Sequence, residues 1–431
     1  MRVVHLYDGH EKVYDGRGSV PNVVWHLARE TAAAGHEVTV LERRWAGLPA
    51  AEEREGVAFH RFDLATGADE PWTRVPYEMV TSPVGLARLV GDRTNFALEA
   101  LRHLRSLDFD LLHVHLPFAA SVLATVAPWL RDRMVYTAHL GELRLDALSD
   151  DQKGGDGGRG DADGGDGESA DGGLAVPEIV KRLSPDVYLA NRAEKTAVLN
   201  PEIREVFADR GVPDSKLSVV PNGVDLNRFG DPDHEVVTEV EAKYDLGDRP
   251  TLLFVGTVMP RKGVVDLVRA VEQVAASGHD PRLVVAGEND LDPAYTDRVR
   301  SLIREAGLEE HVELTGFVPS EELPALYALA DVFVAPSLEE GFGMTVAEAM
   351  AAGTPVVGTR VGRVPWLLDD ERCGRVVEPG DADAFASAVS ELLDDPAERD
   401  RMAERARERA RDVSWEGVTE DVRSIYQEVT E

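Results

Sequence analysis

The stretch that decides the fold is Pro336–Gly358, PSLEEGFGMTVAEAMAAGTPVVG. Ahead of it, the run 332–335 (VFVA) reads as a short apolar strand ending near Ala335. A glycine-flanked turn follows, a small-residue helix begins around Met344, and 355–358 (PVVG) is the next strand. Strand, turn, helix and strand in that order is the unit of an α/β domain with a parallel sheet. In such a unit the amides of Gly343, Met344 and Thr345 lie at a helix N-terminus, where unpaired N–H groups and the helix dipole favour an anion such as a diphosphate. Glu340 precedes the turn, at the carboxyl edge of the sheet where ligands of doubly wound folds bind. Glu348 lies one turn inside the helix, within reach of a ribose hydroxyl pair. A lone glutamate at either place would be an ordinary loop or helix residue; the glycines, the spacing and the small-residue helix make the group read as a site.

The same rhythm extends in both directions. Apolar strands are predicted at Arg2–Tyr7, Glu37–Leu41, Leu111–His115, Met134–Thr137 and Val187–Ala190, then at Thr251–Gly256, Arg282–Gly287, Val312–Thr315, Val332–Ala335 and Pro355–Gly358. Between the first two strands, VVWHLARETAAAG is an amphipathic helix that stops at Gly35. The fold class is therefore α/β, with two doubly wound domains in tandem. A long amphipathic helix from about Pro396 to Glu431, carrying Trp415 and Tyr426, has no strand after it and must dock on one domain or bridge both.

Composition narrows the function. Of 431 residues, 43% are apolar, enough for real cores, and 79 acidic against 46 basic residues leave a net charge of −33. That balance argues against electrostatic binding of nucleic acid. A single cysteine, Cys373, excludes a disulfide framework and a multi-cysteine metal site. Only seven of the basic residues are lysines, and an acidic, lysine-poor surface fits a salt-loaded cytoplasm and a halophilic source. The start, MRVVHLYDGH, reads as a buried strand rather than a signal peptide, and Leu111–Leu130 is broken by Pro117 and Pro128, so a soluble cytoplasmic protein is expected. Asp150–Gly173 holds ten glycines and eight carboxylates in 24 residues and reads as a disordered insertion.

Other stretches carry chemistry. In Leu252–Gly263, LLFVGTVMPRKG, a buried strand enters a glycine turn, and Arg261 and Lys262 open a helix where two cations would neutralise a leaving diphosphate. Near the N-terminus, Asp15–Asn22 (DGRGSVPN) is a glycine-rich first turn, but it lacks the third glycine of the dinucleotide fingerprint. His113 and His115 are read as facing opposite ways along one strand, one packing and the other reaching its C-terminal edge. His115 is the better candidate because Pro117 breaks the chain just after it. His139 lies past the end of another strand. Aspartate pairs such as Asp290/Asp292 are common in so acidic a chain and have no neighbouring ligands, so no catalytic metal and no cofactor is expected.

Taken in order, the glycine turn at 16–19, HVH at 113–115, TAH at 137–139, PNGVD at 221–225 with Phe229, FVG…RKG at 254–263 and EGFGMTVAE at 340–348 resemble the retaining glycosyltransferases of the GT-B fold, family 4 (glycosyl transferases group 1). The resemblance implies two Rossmann-like domains facing a cleft: residues 1–190 on the acceptor side, 191–408 holding a nucleotide sugar, and a helix over 409–431 returning to the first domain. It implies that Glu340 bonds sugar hydroxyls, Glu348 the ribose, and Lys262 with Arg261 the diphosphate, while His115 sits near the reacting carbon. Gly18, Ser19, His139, Thr257, Gly341, Phe342, Gly343, Met344 and Thr345 complete the implied donor site. Two positions depart from the family pattern. Ser19 replaces the second of the paired glycines, and Thr257 stands where an arginine is usual, which shifts charge neutralisation onto Arg261 and Lys262.

The implied partners are a nucleoside-diphosphate sugar and an acceptor of unknown kind, either glycan, lipid or small molecule. Arg88, Arg93, Arg102, His103 and Arg105 gather near one helix; they would suit contact with anionic lipid at the inner face of the membrane, or form a solvated face balanced by Asp92 and Glu99. Rival readings are a nucleotide-sugar-binding protein without turnover, a nicotinamide oxidoreductase and a sugar phosphorylase of the same fold.

Overall fold

A computed structural model describes residues 1–14, 18–65, 83–139, 184–247, 249–369 and 371–431. They form two compact units: Met1–Val220 together with Thr419–Glu431, and Pro221–Val418. The predicted insertion at 150–173 lies outside the described residues, as do Gly16 and Arg17 of the first turn.

The first unit runs β1 (Arg2–Leu6), α1 (Ser19–Ala33), β2 (Glu37–Arg43), β3 (Ala51–Arg54), β4 (Val57–Phe62), α2 (Pro83–Leu104), β5 (Leu111–Val114), α3 (Pro117–Val126), β6 (Met134–Ala138), α4 (Pro185–Arg192), β7 (Lys195–Val198), α5 (Pro201–Asp209) and β8 (Leu217–Val219). The strands build one sheet in the order β3-β4-β2-β1-β5-β6-β7-β8. Only β3 is antiparallel to its neighbour, β4. Apart from half-buried Arg2, strands β1, β5 and β6 are buried along their length, which is why they read as mostly apolar runs. Helix α1 buries Val23, Val24, Leu27, Ala28 and Thr31 along one face, the spacing of an amphipathic helix. Because β1 pairs with β2 on one side and β5 on the other, the loops leaving β1 and β5 diverge at their carboxyl ends. That divergence is the ligand crevice of doubly wound sheets.

Residues 187–190 do not form the predicted strand. They lie in α4, which Pro185 opens and the Ser184 side chain caps from the Val187 amide. The apolar run is too short for its period to decide, and the Ser-Pro start outweighs it. The strand of this region is β7, and with β8 it joins the first sheet. The unit boundary therefore falls after Val220, not at 190.

The second unit runs α6 (Leu226–Gly230), α7 (His234–Lys243), β9 (Thr251–Val255), α8 (Val264–Ala276), β10 (Arg282–Ala286), α9 (Pro293–Glu305), β11 (Val312–Gly316), α10 (Leu323–Leu329), β12 (Val332–Ala335), α11 (Met344–Ala352), β13 (Val356–Thr359), α12 (Val364–Leu367), β14 (Gly374–Val377), α13 (Ala382–Asp394) and α14 (Pro396–Ala410). Its sheet, ordered β11-β10-β9-β12-β13-β14, is parallel throughout. The chain order reverses between β9 and β12, so the loops after these two strands flank the switch point. They are the two loops singled out by sequence.

The predicted helix over 396–431 is two helices. After α14 comes a tight turn at Arg411–Val413, then α15 (Trp415–Thr430). Ser414 between them is extended and bridges to Val224, with the Val224 amide on the Val413 carbonyl at 2.8 Å. From Thr419 onward the chain belongs to the first unit. Among the described residues, no helix is long and apolar enough to cross a membrane.

Candidate active site

In the second unit, the geometry begins with Gly263. Its φ is +67°, and a Cβ there would lie 2.0 Å from the Pro336 carbonyl oxygen, so only glycine lets the Pro260–Lys262 turn press against the exit of β12. The amide of Leu338 donates to the Arg261 carbonyl at 2.8 Å and ties the two loops together. This brings the Lys262 Nζ within 2.5 Å of a Glu340 carboxylate oxygen. Burial alone would raise the pKa of Glu340, but Lys262, Arg261 and the Gly341 amide outweigh it and hold the group below the ordinary glutamate value. Glu340 is thus an ionised acceptor beside a fixed ammonium.

Helix α11 starts from Gly343 in the left-handed region (φ +90°), and no side chain among the described residues caps it. Met344 and Thr345, half-buried, supply its first amides, which face outward at the positive end of the dipole. Phe342 is different: its ring is buried in the core beneath the turn, so it anchors the loop and offers a ligand only backbone. Glu348, one turn on, accepts a hydrogen bond from the Tyr327 hydroxyl of α10 at 2.7 Å. Burial pushes Glu348 up to about 7, against the opposing pull of that hydroxyl and of Arg228. Thr257 sits half-buried in the turn after β9. Arg261, Lys262, Glu340, Gly341, Gly343, Met344, Thr345 and Glu348 therefore share one edge of one unit.

In the first unit, His113 and His115 do not face opposite ways. Residues two apart on a strand share a face, and the rings lie 4.2 Å apart between centroids. Both are fully buried. His113 is held by Tyr426 of α15 at 2.6 Å and by Thr137 at 2.7 Å. His115 meets His5 of β1 at 2.9 Å and His139 at 3.3 Å. Of these histidines only His139 keeps solvent exposure. Burial, with the neighbouring imidazoles, lowers His113 and His115 well below the usual histidine range, and burial lowers His5 to about 3, so all three are neutral. Among the described residues, His5, His113 and His115 are also the one group whose ligand atoms lie close enough together, within 4.8 Å, to hold a metal ion; the expectation of no metal rested on the aspartates and did not weigh them.

Gly18 precedes α1, and its amide donates to the Glu11 carboxylate at 2.5 Å, so the place expected for a phosphate holds a side chain of this protein. Ser19 is the first residue of α1. Of the basic cluster on α2, Arg93 is buried and bonded to Asp92 at 3.0 Å, with Asp8 3.6 Å away, and His103 stacks on His60 with centroids 3.8 Å apart. Arg93 is internal, which removes it from any surface patch, and His103 is half-buried with its ring against His60.

Two sequence families match, one described as Glycosyltransferase Family 4 over residues 20–228 and one as Glycosyl transferases group 1 over 237–409. A D-inositol 3-phosphate glycosyltransferase of Corynebacterium efficiens is 30% identical over 333 residues, 75% of this chain and 72% of that protein. The chain belongs to the group 1, family 4 glycosyltransferases. A GDP-mannose-dependent alpha-(1-6)-phosphatidylinositol monomannoside mannosyltransferase of Mycolicibacterium smegmatis is 34% identical over 242 residues; the match spans 54% of this chain and 62% of that relative's length. The fold of this glycosyltransferase matches sucrose-phosphate synthase of Thermosynechococcus elongatus with a TM-score of 0.77 at 24% identity, over 100% of this chain and 99% of the other. The architecture is GT-B.

Sequence reasoning missed Tyr327, His5 and Tyr426 as partners of site residues in this glycosyltransferase. Each lies far along the chain from the group it holds, and a tyrosine or histidine in an apolar run gives no local signal of its partner.

Proposed function

We propose that the protein moves a sugar from a nucleoside-diphosphate sugar to an acceptor hydroxyl with retention at the anomeric carbon. The observation that carries this reading is the Lys262–Glu340 pair set beside the uncapped N-terminus of α11. A departing nucleoside diphosphate gains negative charge in the transition state, and a fixed ammonium with aimed backbone amides stabilises that charge where it develops. Arg261 adds a second cation. Glu340, ionised and rigidly held, suits acceptance of a hydrogen bond from a sugar hydroxyl, and Glu348 from the ribose. Among the described residues no carboxylate is placed as a covalent nucleophile, so the two-carboxylate scheme of retaining glycosidases is not invoked, and the acceptor would attack from the face the leaving group vacates.

In the first unit, the resemblance assigns a histidine to the reacting sugar. Exposure selects His139 for that role in place of His115, which is fully buried behind it. Gly18 and Ser19 would serve the donor only after Glu11 releases the Gly18 amide. The GDP-mannose dependence of one relative makes GDP-mannose the first donor to test, and the acceptor of that relative favours a lipid-linked one. Val84, Val90 and Leu98 are exposed along α2 beside Arg88 and Arg102, which supports peripheral contact with an anionic membrane; flotation with anionic and neutral vesicles tests it. The acidic, lysine-poor composition supports a salt-loaded cytoplasm as the working medium.

The experiment is a thermal-shift screen of UDP-, GDP- and ADP-sugars in molar KCl without added metal, followed by a transfer assay on wild type and Lys262→Ala. A rise of several degrees with one donor, and turnover that the substitution cuts by about two to three orders of magnitude, is the expected result. Binding without turnover would favour the non-catalytic alternative, and no shift with any donor in folded protein would refute both.

A further inference from the structure

Three imidazoles form a line in the first unit. His5 on β1 pairs in register with His113 on β5, and its Nδ1 meets Nε2 of His115 at 2.9 Å. On the other side of the His115 ring, Nδ1 meets Nε2 of His139 at 3.3 Å. The line has a fully buried end and a part-exposed end. His5 is fully buried and among the described residues its Nε2 has no hydrogen-bond partner, whereas His139 is only half-buried. His113 does not complete the buried end, because both its nitrogens are taken by Tyr426 and Thr137.

A neutral imidazole has one N–H and one lone pair, so a chain of three can run in only two directions. Directed inward, each ring donates toward His5, and the buried end is an N–H with no acceptor. Directed outward, His5 Nδ1–H donates to His115 and His115 Nδ1–H donates to His139, and the buried end is a lone pair with no donor. Orphaned buried N–H groups are the rarer and costlier of the two. Burial keeps His5 and His115 neutral, so neither carries two N–H groups within the line.

We infer that His5 is a positioning residue: the chain His5–His115–His139 runs outward and fixes His139 as the tautomer that accepts at Nε2 and carries its proton on Nδ1. His139 then acts through Nδ1 as a hydrogen-bond donor and not as a base at that nitrogen. This gives His115, a buried group that cannot reach a substrate, a role in holding the ring that can. The consequence for turnover rests on the function proposed above; the tautomer does not.

The test is a long-range 1H–15N correlation spectrum of the full chain with 15N-labelled histidine, near pH 7.5. His5, His115 and His139 should each show a protonated Nδ1 and a bare Nε2, the form less favoured in free histidine. Assignment uses His5→Phe, which keeps a ring of similar size without a donor. In that variant His139 should lose the fixed tautomer, and kcat should fall on the order of tenfold with the donor KM unchanged. A protonated Nε2 on His5 or His139 in wild type overturns the inference even if the variant fails to fold. So does one equivalent of tightly held transition metal by elemental analysis, since the facing nitrogens of His5 and His115 would then be ligands. The expected tautomers in a protein without transfer activity would support the inference and refute the proposed function instead.

Discussion

Replacing Glu348 by glutamine should stabilise the second unit and damage donor binding at once. The side chain keeps its shape, and the Tyr327 hydroxyl still finds an oxygen to donate to. What disappears is the cost of holding a carboxylate there. Burial raises the folded-state value to about 7 from an ordinary 4.5, so the acid is favoured on folding. Its contribution is intact below the unfolded value and is lost as pH rises through 7. With 1.36 kcal/mol per unit, the gain for glutamine is at most about 1.4 kcal/mol at pH 5.5 and at most about 3.4 kcal/mol at pH 8.5, the residual exposure of the site reducing both. Urea unfolding of wild type and Glu348→Gln at the two pH values measures the difference, which should widen by up to about 2 kcal/mol toward high pH. Donor affinity at pH 8.5 should fall by roughly tenfold or more as a charged hydrogen-bond acceptor is lost. Equal stability differences at both pH values would refute the reasoning, because a neutral or solvent-exposed Glu348 predicts just that.

Lys262→Ala leaves the Glu340 carboxylate without its cation; turnover should drop by about two to three orders of magnitude in a transfer assay, with stability lower by up to about 3 kcal/mol. Gly263→Ala forces a Cβ toward the Pro336 carbonyl at positive φ, and should cost at least about 2 kcal/mol in unfolding experiments while erasing the donor-induced thermal shift. In the first unit, Glu42 is fully buried and holds Arg61 at 2.7 Å, the Val13 amide at 2.9 Å and the Trp45 indole at 3.3 Å. Glu42→Ala should destabilise that unit by about 3–5 kcal/mol, seen as a lower midpoint of urea unfolding, with equilibrium donor affinity of the folded protein unchanged; a midpoint that does not move would show the pair to be inert.

Legibility in the sequence followed the range of each interaction. The strands at 251–256 and 332–335, the turns after them and the start of α11 were readable because a buried strand, a positive-φ glycine and a helix start all leave marks within about ten residues. Glu340 and Lys262 were readable for the same reason, each sitting in such a turn, although their 2.5 Å pairing spans 78 positions. The strand at 187–190 failed because four apolar residues carry no period, and the break at Ser414 failed because an amphipathic pattern on both sides conceals a turn held by distant Val224.

The histidines show the deeper limit. Period two places His113 and His115 on one face, so their neighbourhood was open to sequence reasoning, but nothing nearby names His5, 110 positions from His115, as the third member. A parallel sheet makes such partnerships routine: β1 and β5 are adjacent in space although α1, β2, β3, β4 and α2 intervene in sequence. The tautomer of a half-buried histidine is then set by a residue in the first strand, inside an apolar run that reads as core. Site chemistry in a doubly wound domain is therefore local in its donors of backbone amides and glycine turns, and non-local in everything that sets charge or proton position; the glutamate at 348 with Tyr327 and the histidine at 139 with His115 and His5 are two cases of one rule.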